Sequence, residues 1–503
     1  MPELSLVRTF SAVNKGLETL KIEVEIKSTF GKPGFIIIGL ANRVITESRE
    51  RITTALTQCG VRIRPQKTVV NLAPADLDKK SSSVELAIAV AMLKLYGMIS
   101  LPTEQTLFLG ELSLDGRLRK IKGFVSIVLA ARSMGFTQIY FPQDNLGELP
   151  KISGLDFYPL ASLQEFLAHA RGNIRLKPVK LLNHRTEISC FPVDLAHIFG
   201  QVEAKLALEI VAAGRHNLLM FGQPGSGKSL LAKALISILP ALSEEEFLEV
   251  NRIYSLCGLL KGSLLSKRPF RTPYQHISIA ALLGGGTQLS PGEITLAHRG
   301  VLFLDEFTQF KSQAIEMLRQ PLENGLIEII HSNQRRTYPA DFTLLAASNP
   351  CPCGFLGSQK LCRCSEFELQ RYHSRFSGPI LDRIDLTLRV DPLENLKEAS
   401  QQATEISAVV RERVQQAVAW QVKRYANTSF LDNSSLTPQA VLDFCLISPR
   451  AKKALDEFAN RQKFSTRSYF KIFKVARTIA DLAQVQVIQK EHLLQALNFR
   501  DFF

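Results

Sequence analysis

The sequence predicts an α/β protein of three parts: an α+β domain first, an α/β domain with a parallel sheet in the middle, and an all-α domain last. Three observations carry this reading. Residues 1–170 mix short alternating strands with helical stretches. From 191 to 393 apolar strands alternate with helices, the pattern of a parallel sheet, and from 394 to 503 the pattern is helical throughout. A length of 503 residues also suits about three domains at roughly 150 residues each.

Composition sets outer limits. The chain is 46% hydrophobic and 21% charged, which fits globular domains and excludes global disorder. No run approaches the ~18 consecutive apolar residues of a membrane span. The start, Met1-Pro2-Glu3-Leu4, lacks a basic segment followed by an apolar stretch. A cytoplasmic protein with no membrane partner is expected. The net charge of +14 favours polyanions, nucleic acid first among them, although many basic proteins bind none.

In the first part, Leu20–Ile26 alternates apolar and charged residues like a half-buried strand. Gly34–Leu40, Thr68–Leu72, Leu107–Gly110 and Thr137–Phe141 read as further strands. Thr46–Cys59 and the apolar Val84–Leu95 read as helices, and Asp115-Gly116 supplies a tight turn. Residues 171–190 are basic and aperiodic, with Arg171, Arg175, Lys177, Lys180 and Arg185 against Glu187, and read as a linker. In the middle part Asn217–Phe221, Val301–Leu304 and Thr343–Ala347 are buried-strand candidates. The last part offers helices over Gln401–Tyr425, Thr437–Ile447, Pro449–Arg461, Ser468–Ala483 and Lys490–Leu497.

The chemistry concentrates in the middle part. Gly222-Gln223-Pro224-Gly225-Ser226-Gly227-Lys228-Ser229 follows a strand and opens a helix, the context a phosphate-binding loop requires. Its glycines let backbone N–H groups turn onto phosphates, and the helix start adds its positive end. Lys228 would reach the β- and γ-phosphates of ATP, and Ser229 would ligate Mg²⁺. The strand Val301–Leu304 ends in Asp305 and Glu306. Asp305 would hold Mg²⁺ and Glu306 would act as general base on water. Thr343–Ala347 runs on to Asn349, which would sit beside Asp305 and orient the water, or simply cap the turn before Pro350.

Taken in order, Gly222–Ser229, Leu304-Asp305-Glu306, Ser348-Asn349-Pro350 and Leu381-Asp382-Arg383-Ile384-Asp385 resemble an AAA+ ATPase of the magnesium-chelatase/MCM-like branch. Arg268-Pro269-Phe270-Arg271 and Pro291–His298 resemble that branch's insertion. Val70–Asp76 and Gly110–Gly116 extend the likeness to the YifB/ComM family over nearly the whole chain. The resemblance implies a Lon-protease-like first domain, an AAA+ core, a helical lid and a hexameric ring. It also implies an ATPase motor that migrates or unwinds branched DNA in natural transformation. The competing expectation is a magnesium-chelatase-type ATPase that remodels a protein partner without nucleic acid.

The resemblance makes Arg383 the arginine finger that enters a neighbour's site, and Arg467 the lid's sensor arginine, with Arg477 second for that role. Arg375 is open between an ion pair and a subunit contact. The segment Thr272–His276 lacks the histidine pair usual in relatives. Ser83 falls where a Lon-type nucleophile would lie, but the helix after Gly123 holds no lysine, and a serine without a base is a poor nucleophile. A non-proteolytic domain is expected.

Cys351, Cys353, Cys362 and Cys364 form C-x-C-x8-C-x-C, which suits one structural Zn²⁺ or stands as four reduced thiols. Glu323–Ile330 followed by Arg335–Pro339 reads as a β-hairpin with a turn at His331–Gln334. Arg335 and Arg336 near its tip, with Lys267, Arg268 and Arg271, are candidate phosphate contacts, the alternative being solvated basic residues. Nothing predicts base readout, so single-stranded or branched DNA should bind without sequence preference.

Overall fold

The computed structural model describes residues 6–29, 32–38, 42–74, 82–179, 191–286, 289–331, 334–357, 360–376, 378–392, 404–461 and 465–500. Most of the basic stretch 171–190 and the 393/394 boundary lie outside them. The chain forms two compact units, Met1–Thr186 with Glu244–Leu265, and Glu187–Ser243 with Ser266–Phe503.

The first unit is built on a seven-stranded mixed sheet. Its strands are β1 (Val7–Lys15), β2 (Glu18–Thr29), β3 (Gly34–Ile38), β4 (Lys67–Ala73), β5 (Thr106–Phe108), β6 (Gln138–Pro142) and β7 (Asp156–Leu160). Their order is β3-β4-β2-β1-β5-β6-β7. Alternation places Ile22, Val24 and Ile26 of β2 inside. The helix Glu85–Leu95 is apolar on every side and is accordingly central, with its residues 85–93 all buried. Its one acid is fully matched: the Glu85 carboxylate takes Arg51 at 2.6 Å, Ser48 at 2.7 Å and the Leu112 N–H at 2.9 Å.

One segment departs from the linear order. Residues 244–265 fall within the span 191–393 read as the nucleotide domain, yet they pack with the first unit. The helix Glu244–Leu256 lies on the helix Phe124–Ala131. The Gly123 N–H donates to the Ser255 carbonyl at 2.8 Å and Arg252 to the Leu17 carbonyl at 2.9 Å. Periodicity announces a helix and its apolar face, but not which body that face will cover.

The second unit holds a parallel five-stranded sheet. Its strands are β8 (Leu218–Phe221), β9 (Phe270–Arg271), β10 (Val301–Leu304), β11 (Thr343–Ser348) and β12 (Leu386–Arg389), in the order β9-β10-β11-β8-β12. The three middle strands are buried along their whole length, as a parallel sheet covered on both faces requires. The helices after residue 404 share one core with this sheet's helices. Val410, Val414, Ile472 and Ala476 pack in the same cluster as Ala207, Val211 and Leu235. Among the described residues no helix is long and apolar enough to cross a membrane.

Candidate nucleotide site

Because β8, β10 and β11 are parallel, their C-terminal ends meet at one edge. Phe221 pairs with Ser348, and Leu304 with Ala346. The glycine loop leaves β8 here. Gly222 has no room for a side chain: a Cβ would sit 2.7 Å from Ser226 Oγ and press on the Val390 carbonyl. Gly227 takes φ +90° as the helix Lys228–Ile238 begins, a conformation open chiefly to glycine. The first amide groups of that helix therefore face the loop, an anion site by geometry and dipole alike.

Lys228 is buried and its ammonium spans the loop. It donates to the Gly222 carbonyl at 2.8 Å and the Gln223 carbonyl at 2.9 Å, and lies 3.4 Å from Asn349 Oδ1. Burial lowers its pKa, and the charges of Asp305 and Glu306 partly oppose this. The Ser229 hydroxyl donates to Asp305 Oδ2 at 2.7 Å. A hydroxyl and a carboxylate in contact are the hard oxygen donors that suit Mg²⁺. Glu306 stands at φ +51°, with its N–H on Asp305 Oδ1 at 3.0 Å. Its carboxylate accepts from Gln275 Nε2 at 2.6 Å, so the segment without the usual histidine pair still reaches the site.

Asn349 follows β11 directly, and its backbone is fixed by a tyrosine that sequence reasoning did not single out. The Tyr372 hydroxyl donates to the Asn349 carbonyl at 2.9 Å and accepts from Thr308 Oγ1 at 2.9 Å. Arg375 donates to the Thr308 carbonyl at 2.6 Å, a backbone contact that is neither an ion pair nor a contact with another subunit. A second omission is an apolar pocket beside Gly225–Gly227, lined by His197, Ile198, Phe199, Leu230, Leu231 and Pro392. The signal available was the apolar Ile198-Phe199 ahead of a turn in which Gln201 takes φ +51°. Its size and position suit the flat face of a nucleobase.

Arg383 and Arg467 lie elsewhere. Asn217, which precedes β8, donates to the Arg383 carbonyl at 2.9 Å, and Leu386 pairs with Leu218. Arg383 is therefore at the sheet edge opposite the glycine loop, a strand length of roughly 13 Å away at about 3.3 Å per residue. Its guanidinium bonds the Pro379 carbonyl and the Glu323 carboxylate. Arg467 pairs with the adjacent Asp382 at 3.3 Å. Arg477 is fully buried against Asp481 at 3.0 Å and reaches no surface.

The four cysteines converge. All four Sγ atoms lie within 4.8 Å of one another. Cys351 is 3.4 Å from Cys353 and 3.8 Å from Cys362, and Cys353 is 3.6 Å from Cys362. Zn–S bonds of about 2.3 Å in a tetrahedron put sulfurs about 3.8 Å apart, so the set fits one Zn²⁺. The Leu356 N–H points at Cys351 Sγ at 3.3 Å and the Cys353 N–H at Cys364 Sγ at 3.4 Å, donors that suit thiolates.

The basic candidates divide. Leu326–His331 and Gln334–Pro339 form the antiparallel hairpin, with Ile330 opposite Arg335 and Ile329 opposite Arg336; residues 332–333 at its tip lie outside the described residues. Arg335 is exposed beside Glu328, and Arg336 is half-buried. Lys267 stacks on Phe191 at 4.9 Å. Arg271 makes a bidentate pair with Glu293, both contacts 2.6 Å. Arg268 holds the carbonyls of Pro240 and Arg299, each at 2.8 Å. In this structure the side chains of Arg268 and Arg271 are engaged by these contacts within the chain. Sequence gave their charge but not their partners.

Family models describe three stretches of the chain. The model for magnesium chelatase subunit ChlI matches residues 194–398, that for subunit ChlI of Mg-chelatase residues 22–145, and that for the ChlI C-terminal region residues 404–500. Competence protein ComM of Haemophilus influenzae is 36% identical over 99% of this chain and 98% of its own. YifB of Escherichia coli is 36% identical over 99% of this chain and 97% of its own. An uncharacterised protein of Mycobacterium tuberculosis is 36% identical over 99% of each.

Proposed function

The chain belongs to the YifB/ComM family of magnesium-chelatase-type AAA+ proteins, and from that membership we propose that it is a ring-forming ATPase that drives DNA through branch migration or unwinding. The observation that carries this reading is the division of the site. Lys228, Ser229, Asp305, Glu306 and Asn349 gather at one edge of the sheet, and Arg383 with Arg467 at the other. This separation supports a site that a neighbouring chain in a ring would complete.

In the shared site Lys228 would exchange the loop carbonyls for the β- and γ-phosphates of ATP, and Ser229 with Asp305 would hold Mg²⁺, which would supply charge neutralisation at the phosphates. Glu306 takes the proton of the attacking water once Gln275 yields its carboxylate. Asn349 orients that water. Arg383 of a neighbour leaves Glu323 to meet the transferring phosphoryl group, where a planar, permanently charged donor stabilises spread charge. The apolar pocket at Ile198 and Phe199 takes the adenine base.

Three features support DNA as the track: the net charge of +14, the hairpin with Arg335 and Arg336, and full-length likeness to a competence protein. The four cysteines would hold one structural Zn²⁺. In the first unit Ser83 is buried with its hydroxyl on the Ala12 carbonyl at 3.3 Å, which supports a scaffold without peptidase chemistry. The chelatase models favour a second reading, an ATPase that remodels a protein partner. ATP hydrolysis measured with and without single-stranded and branched DNA separates the two. Stimulation by DNA of any sequence, weakening as salt rises, is the result expected of a DNA motor; indifference to DNA overturns that reading.

A further inference from the structure

The turn that carries the cysteines also touches the nucleotide loop. Gly354 follows Cys353 at φ +83°, and a Cβ built there would stand 2.7 Å from Pro224 Cδ. Backbone of the cysteine turn is thus packed against the middle of the loop. The turn's shape is tied to sulfur. The Gly354 N–H bonds the Cys351 carbonyl at 3.0 Å, the Leu356 N–H bonds Cys351 Sγ at 3.3 Å, and Arg389 holds the Gly357 carbonyl at 2.9 Å. On its other flank the loop is fixed at Gly222 against the Val390 carbonyl. The loop therefore sits between two backbone walls, one of which carries the four cysteines.

We propose that the four-cysteine centre is a zinc-dependent clamp on the nucleotide loop: one Zn²⁺ on Cys351, Cys353, Cys362 and Cys364 sets the position of Gly354, and Gly354 holds Pro224 where the loop's amide groups converge on phosphate. The inference rests on the nucleotide reading of residues 222–229 and is independent of DNA. Four bonds to one ion would fix the relative places of the two Cys-x-Cys pairs. Without the ion, the backing of Pro224 relaxes and the loop must be ordered at the moment nucleotide binds, which weakens affinity. Linkage makes the effect reciprocal, so bound nucleotide slows zinc loss.

The test uses the full chain. Metal content is measured on protein purified without added metal, and affinity for a fluorescent ATP analogue is measured in excess Mg²⁺ before and after a zinc-selective chelator, then after Zn²⁺ alone is restored. One zinc per chain, an affinity about tenfold weaker after removal and recovery on restoration are expected. Gly354→Ala keeps all four thiols; it should retain zinc and still bind nucleotide about tenfold more weakly, since its methyl group pushes on Pro224. Substoichiometric zinc, or zinc-free folded protein with unchanged affinity, overturns the clamp, as does zinc-loaded Gly354→Ala with full affinity. Zinc-loaded wild-type protein that binds no nucleotide overturns the nucleotide reading itself and this inference with it.

Discussion

The Ser229 hydroxyl donates to the Asp305 carboxylate across 2.7 Å, joining the first turn of the helix after the glycine loop to the end of β10. Two hard oxygen donors thus meet from segments 76 residues apart in sequence. Asp305→Asn keeps the contact and removes the charge. Turnover should fall by about 10²-fold or more, and the Mg²⁺ concentration needed for half-maximal rate should rise. Steady-state ATPase rates across a Mg²⁺ titration read both effects.

Glu306→Gln should separate binding from chemistry. Its amide cannot take a proton from water, so turnover should drop by about 10²–10⁴-fold. Nucleotide affinity, set by Lys228 and the loop, should hold within about threefold of wild type. Equilibrium binding of a fluorescent ATP analogue beside single-turnover hydrolysis checks this, and a matching loss of affinity would contradict the role.

The arginines offer an internal contrast. Arg335→Ala with Arg336→Ala should cut DNA-stimulated ATPase at least fivefold and leave the melting temperature nearly unchanged. Arg271→Ala should do the reverse, because it leaves Glu293 without its bidentate partner. A melting loss of a few degrees with DNA stimulation retained is expected for it. Thermal melts and DNA titrations at two salt concentrations distinguish the sets.

Asp385 links stability to pH. Burial alone would raise its carboxyl, but His216, the Lys471 charge and the Asn217 amide outweigh burial and hold it at about 2. An unfolded aspartate titrates near ~3.9, so the stability from this depressed value is present above about pH 4 and lost as pH falls toward 2. Its size is about 2–3 kcal/mol. Asp385→Asn should lose about that much at pH 7 and flatten the fall in stability between pH 4 and 2, measured by urea unfolding across that range.

Much of the site was legible because its chemistry is local. A glycine loop between strand and helix, or two acids at a strand end, is written in consecutive residues, and parallel strands bring such ends to one edge. The same logic put Asn349 beside Asp305 at that edge, and in the structure its Oδ1 lies 3.4 Å from Lys228. What escaped depended on tertiary partners. Tyr372 matters because it reaches back 23 residues to the Asn349 carbonyl. Arg268 and Arg271 read as candidate phosphate contacts, and their partners Pro240, Arg299 and Glu293 could not be read from the sequence. The helix Glu244–Leu256 was not singled out in the sequence, and its packing with the first unit could not be read there, since an amphipathic face does not name its cover.

The central claim is that each nucleotide site is completed by two chains, and a mixing experiment tests it most directly. Lys228→Ala removes the loop's cation and Arg383→Ala removes the finger, so each variant alone should be inactive. Mixed and allowed to assemble, an Arg383→Ala chain supplies an intact loop and a Lys228→Ala chain an intact arginine. The account predicts that the mixture regains at least a tenth of wild-type ATPase, on the order of what random pairing of two chain types allows around a ring. A mixture in which both variants co-assemble yet hydrolysis stays at the sum of the two inactive rates would contradict it.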